Sequence, residues 1–323
     1  MEQLPTFADV REAARRLEGH AARTPLLRSD ALDSRFEQHL FFKPECNQHV
    51  GAFKYRGARN RLAALSEPQQ DRGVVAFSSG NHAQGVARAA RELGIDAVIV
   101  MPRDAPAVKV AGVEADGATI VTYDRITESR EEIAAAIAER DGRTLVPSFD
   151  DLHIIAGQGT VGLEMVEQAR DQGIELDAVI TCIGGGGLCA GIALSLAELS
   201  PGTDLFGAEP SGYNDHQLSL RSSHRIHLAS SPPTLCDALM TPQPGEITWA
   251  INRGHLKDVF DVTDAACLAT MKVAWKELGV KLEPGGAVAM AAVLRGDLKS
   301  YRNVGVVLSG GNVDPDVWDR AIA

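Results

Sequence analysis

The chain has 323 residues, 45% hydrophobic and 23% charged, with 32 Lys and Arg against 43 Asp and Glu, a formal charge of −11. That size suits one large domain or two ordinary ones, and the acidic balance argues against a nucleic-acid partner. The longest apolar stretches, such as Asp96–Met101 and Asn303–Leu308, are strand-sized, where a membrane helix needs about 20 apolar residues, so no membrane association is expected.

The start of the chain, MEQLPTFADVREAARR, is charged and lacks an apolar signal core, so export is not indicated. The five cysteines, at 46, 182, 189, 236 and 267, are scattered without a CxxC pair. That pattern fits reduced thiols in a cytoplasmic protein.

In chain order, the first segment with chemistry is Gly51-Ala52-Phe53-Lys54-Tyr55-Arg56-Gly57-Ala58. A lysine beside aromatic residues in a glycine-flanked turn can be held away from water, which lowers its pKa and frees the amine for Schiff-base chemistry. Alone, such a lysine is more often a surface residue. Next, the strand-like Gly73–Phe77 runs through Ser78, Ser79 and Gly80 into the helical pattern Asn81–Leu93. Ser79 is expected near the N-cap, where free N–H groups and the helix dipole favour a carboxylate or phosphate.

The alternation continues with Asp96–Met101 before Ala107–Ala115, Ala118–Tyr123 before Ser129–Arg140, and Asp177–Ile183 before Gly187–Leu199. Apolar strands alternating with helices predict parallel sheets covered by helices, with sites at strand C-termini. Gly184-Gly185-Gly186-Gly187 sits at one such junction. Contiguous glycines lack the GxGxxG spacing of a dinucleotide site, so a single phosphate is the better ligand. Pro232–Glu246 reads as an ordered Pro-rich loop. Near the end, Glu283-Pro284-Gly285-Gly286 opens a helix, and Ser309-Gly310-Gly311-Asn312 follows the strand Val304–Leu308. Each of these is an ordinary turn when taken singly.

Together, and in this order, the motifs resemble the serine/threonine dehydratase and serine racemase branch of the fold type II (β-family) pyridoxal-phosphate (PLP) enzymes, which includes the hydroxyaspartate dehydratases. The resemblance runs from Thr24-Pro25-Leu26 to Asn312. It implies a tryptophan-synthase-β-like α/β fold of two three-layer parallel-sheet domains: residues 1–47 plus 152–323, and a small inserted domain at 48–151. A homodimer and a small amino-acid substrate are also implied.

By the same resemblance, Lys54 is the cofactor-binding lysine and the catalytic base. Gly184, Gly185, Gly186 and Gly187 hold the cofactor phosphate, Asn81 meets the 3-hydroxyl, Ser309 the pyridine nitrogen, and Phe53 packs beside the ring. Glu283 completes the cofactor site. Ser78, Ser79, Asn81 and His82 receive the substrate carboxylate, with Ser79 the second base in racemases. Arg130, in Thr127-Glu128-Ser129-Arg130-Glu131, is placed to meet a second carboxylate, although a surface ion pair among acids is an equal reading. Glu209, the Tyr213 carbonyl and Asp215 resemble the family's divalent-cation site, with oxygen donors suited to Mg²⁺, Mn²⁺ or Ca²⁺. His153, His216, His224, His227 and His255 are expected to be solvated or capping.

Three departures bear on substrate and regulation. Ala52 replaces the family's usual Ser, Cys236-Asp237-Ala238 stands where Ala-Asp-Gly is usual, and, with the sequence stopping at Ala323 soon after the catalytic region, the isoleucine feedback of biosynthetic threonine dehydratases is not expected. The implied reaction is removal of water and ammonia from threonine, serine or 3-hydroxyaspartate. The alternative is racemisation of serine or aspartate.

Overall fold

The computed structural model describes residues 4–230 and 232–323. Nine strands form two sheets, both wholly parallel. The four-stranded sheet comprises β2 (Val74–Phe77), β3 (Ala97–Pro102), β4 (Thr119–Tyr123) and β5 (Thr144–Leu145), in the order β4-β3-β2-β5. The five-stranded sheet comprises β1 (His39–Pro44), β6 (Ala178–Cys182), β7 (Asp204–Pro210), β8 (Leu256–Val262) and β9 (Asn303–Leu308), in the order β1-β9-β6-β7-β8.

Parallel strands need helical crossovers, which then cover both faces of the sheet. In the smaller sheet the strand pleat divides the apolar residues accordingly. Val74, Ala76, Ile99 and Met101 join Ala83, Val86 and Ala90 of the helix Asn81–Leu93 on one face. Val75, Val98 and Val100 join Ala134 and Ile137 of the helix Arg130–Asp141 on the other. The larger sheet builds the main core, into which the helices Gly187–Leu199 and Pro284–Arg295 pack. The α/β architecture with parallel sheets is the one expected.

Helix ends fall where local chemistry stops them. Asn81–Leu93 ends at Gly94 and Arg130–Asp141 at Gly142, both left-handed. Ser129 caps the latter, its Oγ accepting from Glu132 N at 3.2 Å. Among the described residues no helix is long and apolar enough to cross a membrane, and all five cysteines are free.

Candidate active site

The C-terminal ends of β2 and β5 in one sheet face those of β6 and β9 in the other, and the loops leaving these strands enclose two adjoining cavities. The outer, of about 380 Å³, is lined by Lys54, Ser78, Ser79, Asn81, His82, Arg130, His227 and Asp237, among others. The inner, of about 70 Å³, is lined by Phe53, Lys54, Asn81, Cys182, Gly184, Gly185, Gly186, Gly187, Glu283 and Ser309. All the residues expected to bind cofactor or substrate therefore meet in one cleft.

Lys54 opens the helix Lys54–Ala63 and lies on both cavities. Burial pushes its ammonium down to about 8, with no carboxylate at hand to oppose the shift. Its Nζ donates to Ser148 O at 2.7 Å and lies over the Phe53 ring at 5.3 Å from the centroid. Phe53 is anchored by its own N–H donating to Ser309 O at 3.1 Å. The Ser309 hydroxyl accepts from Cys182 Sγ at 3.2 Å, so β6 and β9 present a thiol and a hydroxyl side by side.

The glycine run bends from β6 into the helix Gly187–Leu199, whose first N–H groups have no intrahelical acceptor. At Gly185 a Cβ would fall 2.3 Å from the Phe149 ring, and Gly186 has φ +97°. Neither position admits a side chain without displacement, which keeps the cradle open to an anion.

Asn81 Nδ2 donates to Glu283 Oε1 at 2.5 Å, and its Oδ1 accepts from Asn312 Nδ2 at 2.8 Å. Glu283 is wholly buried. Burial raises its carboxyl to about 7 despite the nearby Lys109. His82 is also buried, with Nε2 donating to Val146 O at 3.0 Å and Nδ1 left without a partner. Burial, with Lys54 nearby, pushes this imidazole down to about 3, so it is neutral.

Ser79 lines the outer cavity and lies next to the N-cap, Gly80; Ser78 Oγ accepts from Gly80 N at 3.1 Å. Arg130 combines both of its expected placements. It pairs with Glu131 at 2.8 Å and lies over the Phe77 ring, yet it also lines the outer cavity.

Glu209 and Asp215 are fully buried, not solvated, and Tyr213 is buried beside them. Burial raises both carboxyls. Glu209 accepts from His216 N at 3.1 Å and Gln217 N at 3.0 Å, tying the end of β7 to the helix Asp215–Ser222. His216 is fully buried, contrary to expectation, with Nδ1 3.4 Å from Glu209 Oε1 and 3.5 Å from Asp215 Oδ2.

Sequence reasoning missed Ser148, Phe149 and Asp150. Their signal was the turn Pro147-Ser148-Phe149-Asp150 after β5, a strand C-terminus like the others. Asp150 caps a distant helix, Glu246–His255, by accepting from Glu246 N at 2.8 Å and Ile247 N at 3.0 Å. Lys109 was missed as well, whereas Asp237, in the segment expected to bear on substrate, lines the outer cavity.

A buried, easily deprotonated amine, a glycine cradle and a neutral hydroxyl in one cleft fit PLP. The comparisons agree. An L-threo-3-hydroxyaspartate ammonia-lyase of Pseudomonas sp is 44% identical over 97% of this chain and 97% of its own. A serine racemase of Schizosaccharomyces pombe is 40% identical over 96% and 95%. The solved structure of maize serine racemase superposes with a TM-score of 0.93 at 38% identity, covering 99% of this chain and 97% of that one. Residues 17–310 match the family described as pyridoxal-phosphate dependent enzyme. With that match spanning most of its length, the chain belongs to the pyridoxal-phosphate dependent enzymes, in their fold type II form.

Proposed function

We propose that this enzyme is an ammonia-lyase that converts 3-hydroxyaspartate to oxaloacetate and ammonia, with serine and threonine as poorer substrates. The observation that carries the reading is Arg130 on the same cavity as Lys54 and Ser79, a cation available to a second carboxylate. The 44% identity to an L-threo-3-hydroxyaspartate ammonia-lyase supports it.

PLP, when bound, supplies the electron-withdrawing ring that makes the substrate α-proton removable. Lys54 would hold the cofactor through its amine and, when that amine is free, would take the α-proton on Nζ; its depressed pKa keeps the neutral amine accessible near neutrality. Gly184, Gly185, Gly186 and Gly187 would cradle the phosphate, Asn81 and Glu283 would lie toward the 3-hydroxyl, and Phe53 would pack on the ring. Ser309, a neutral hydroxyl, faces the pyridine nitrogen. It leaves that nitrogen less protonated than a carboxylate would, which favours loss of a β-hydroxyl. Ser78, Ser79, Asn81 and neutral His82 receive the α-carboxylate, and Arg130 the β-carboxylate. Hydroxide leaves Cβ as the α-proton is removed. Water then replaces the nitrogen, so one water leaves and one enters for each ammonia released.

A divalent cation at Glu209, Tyr213 and Asp215 belongs to the same reading. Its support is that both Asp215 carboxylate oxygens are buried without a hydrogen-bond partner.

The test is oxaloacetate release from the diastereomers of 3-hydroxyaspartate, followed through malate dehydrogenase, beside 2-oxo acid release from L-serine and L-threonine. Preferential release from one 3-hydroxyaspartate diastereomer is expected. Inversion at Cα without keto acid would overturn the lyase reading in favour of a racemase, in which Ser79 serves as the second base; the 40% identity to a serine racemase supports that alternative.

A further inference from the structure

We propose that His216 is itself a ligand of the divalent cation, through Nδ1, and that this nitrogen makes the site prefer Mn²⁺ over Mg²⁺ and Ca²⁺. The inference rests on the cation reading above and adds a donor of a different kind to it.

Glu209, Asp215 and His216 are all fully buried, and their donor atoms lie within 4.8 Å of one another. The separations from His216 Nδ1 are 3.4 Å to Glu209 Oε1 and 3.5 Å to Asp215 Oδ2. Donors sitting about 2.1 Å from one ion stand roughly 3.0–3.5 Å apart, so these spacings suit a shared metal. The nitrogen approaches both carboxylates yet is aligned for a hydrogen bond with neither, and Asp215 Oδ1 and Oδ2 also lack partners. Three buried polar atoms clustered without partners are costly unless something binds them.

The other side of the ring is held. Nε2 faces the Asn252 amide at 3.4 Å, and Trp249 packs edge-on against the imidazole. Asn252 Oδ1 is buried and unpartnered. The Asn252 Nδ2 also donates to Gly186 O at 3.3 Å, which holds the amide in place against the Nε2 side of the ring. The helix Asp215–Ser222 begins with the Asp-His pair, so the carboxylate and the imidazole reach the point together.

Mg²⁺ and Ca²⁺ are hard ions that take oxygen donors, whereas Mn²⁺ tolerates an imidazole nitrogen better, so a nitrogen donor should widen its margin over them. At a site of oxygen donors alone the Mn²⁺ margin should be smaller. The preference is therefore assigned to one atom.

The experiment uses the PLP-loaded protein. Mn²⁺ binding is followed by loss of the free-ion EPR signal, with Mg²⁺ and Ca²⁺ as competitors, and pulsed EPR of bound Mn²⁺ reads nitrogen coupling directly. Wild type should show the modulation of a directly bound imidazole nitrogen. His216→Gln should retain Mn²⁺ without that modulation, and its Mn²⁺-to-Mg²⁺ affinity ratio should fall by about tenfold. Bound Mn²⁺ without nitrogen coupling in wild type overturns the inference but leaves the cation reading intact. No binding of any of the three ions overturns both and leaves a buried histidine–carboxylate ion cluster. If His216→Gln and His216→Asn both fail to fold, the wild-type nitrogen measurement decides alone.

Discussion

Lys109 Nζ lies 2.5 Å from Asp237 Oδ2, an ion pair between the helix Ala107–Ala115 beside the smaller sheet and the turn Asp237–Leu239 beside the larger one. The same ammonium is 3.7 Å from Glu283 Oε2. One buried lysine thus faces two carboxylates from the opposite side of the cleft. Lys109→Met strands the wholly buried Glu283, and breaking such a pair costs about 3 kcal/mol. Asp237 is more than a third exposed, so Asp237→Asn should cost about 1 kcal/mol or less. Urea midpoints check the order. Equal losses would refute a Glu283-centred role.

Lys54 should show its depressed pKa in cofactor capture. PLP uptake by the apoprotein, followed by absorbance, should rise with pH and level off just above the value of about 8. A solvated lysine would keep rising towards about 10.5, so a continued climb to that point would contradict the assigned environment. Lys54→Ala should abolish both the signal and turnover.

His82 gives the stability curve an acid limb. Its folded pKa of about 3 lies below the usual unfolded value near 6.5. The unfolded chain therefore binds more protons between those values, and stability is lost as pH falls below about 6.5. The loss from this group is about 2 kcal/mol at pH 5. His82→Gln should flatten that part of the curve in calorimetry; an unchanged slope would mean that other groups set it.

Arg130→Ala should raise KM for 3-hydroxyaspartate about tenfold, the scale of one charge-assisted contact, while leaving serine kinetics within about twofold. Equal effects on the two substrates would return Arg130 to its other partner, Glu131.

Much of this site was legible because strands and helices end on local signals. Asn81–Leu93, Ala107–Ala115 and Gly187–Leu199 have the bounds that glycine, proline and apolar periodicity indicate. What a single chain conceals is pairing. β1 and β9 align His39 with Asn303 across most of the sequence, and only that register brings Ser309 beside Phe53. β5 has two residues, too short for any periodicity, yet it delivers Ser148 and Phe149 to the cleft. Lys109 and His216 look like ordinary surface-helix residues, because nothing local says that a remote element covers them.

Phe53 packs into the core of the larger sheet, whereas Ala58 and Leu62, on the helix that Lys54 opens, pack into a core of the smaller one. The chain crosses between the two cores within the very segment that carries the reactive amine. A molecule bonded to Lys54 and held by Gly184–Gly187 consequently spans both halves as a tether. On the proposed reading, its occupancy should join their melting into a single cooperative unit, making the cofactor a structural member of the enzyme as well as its reagent.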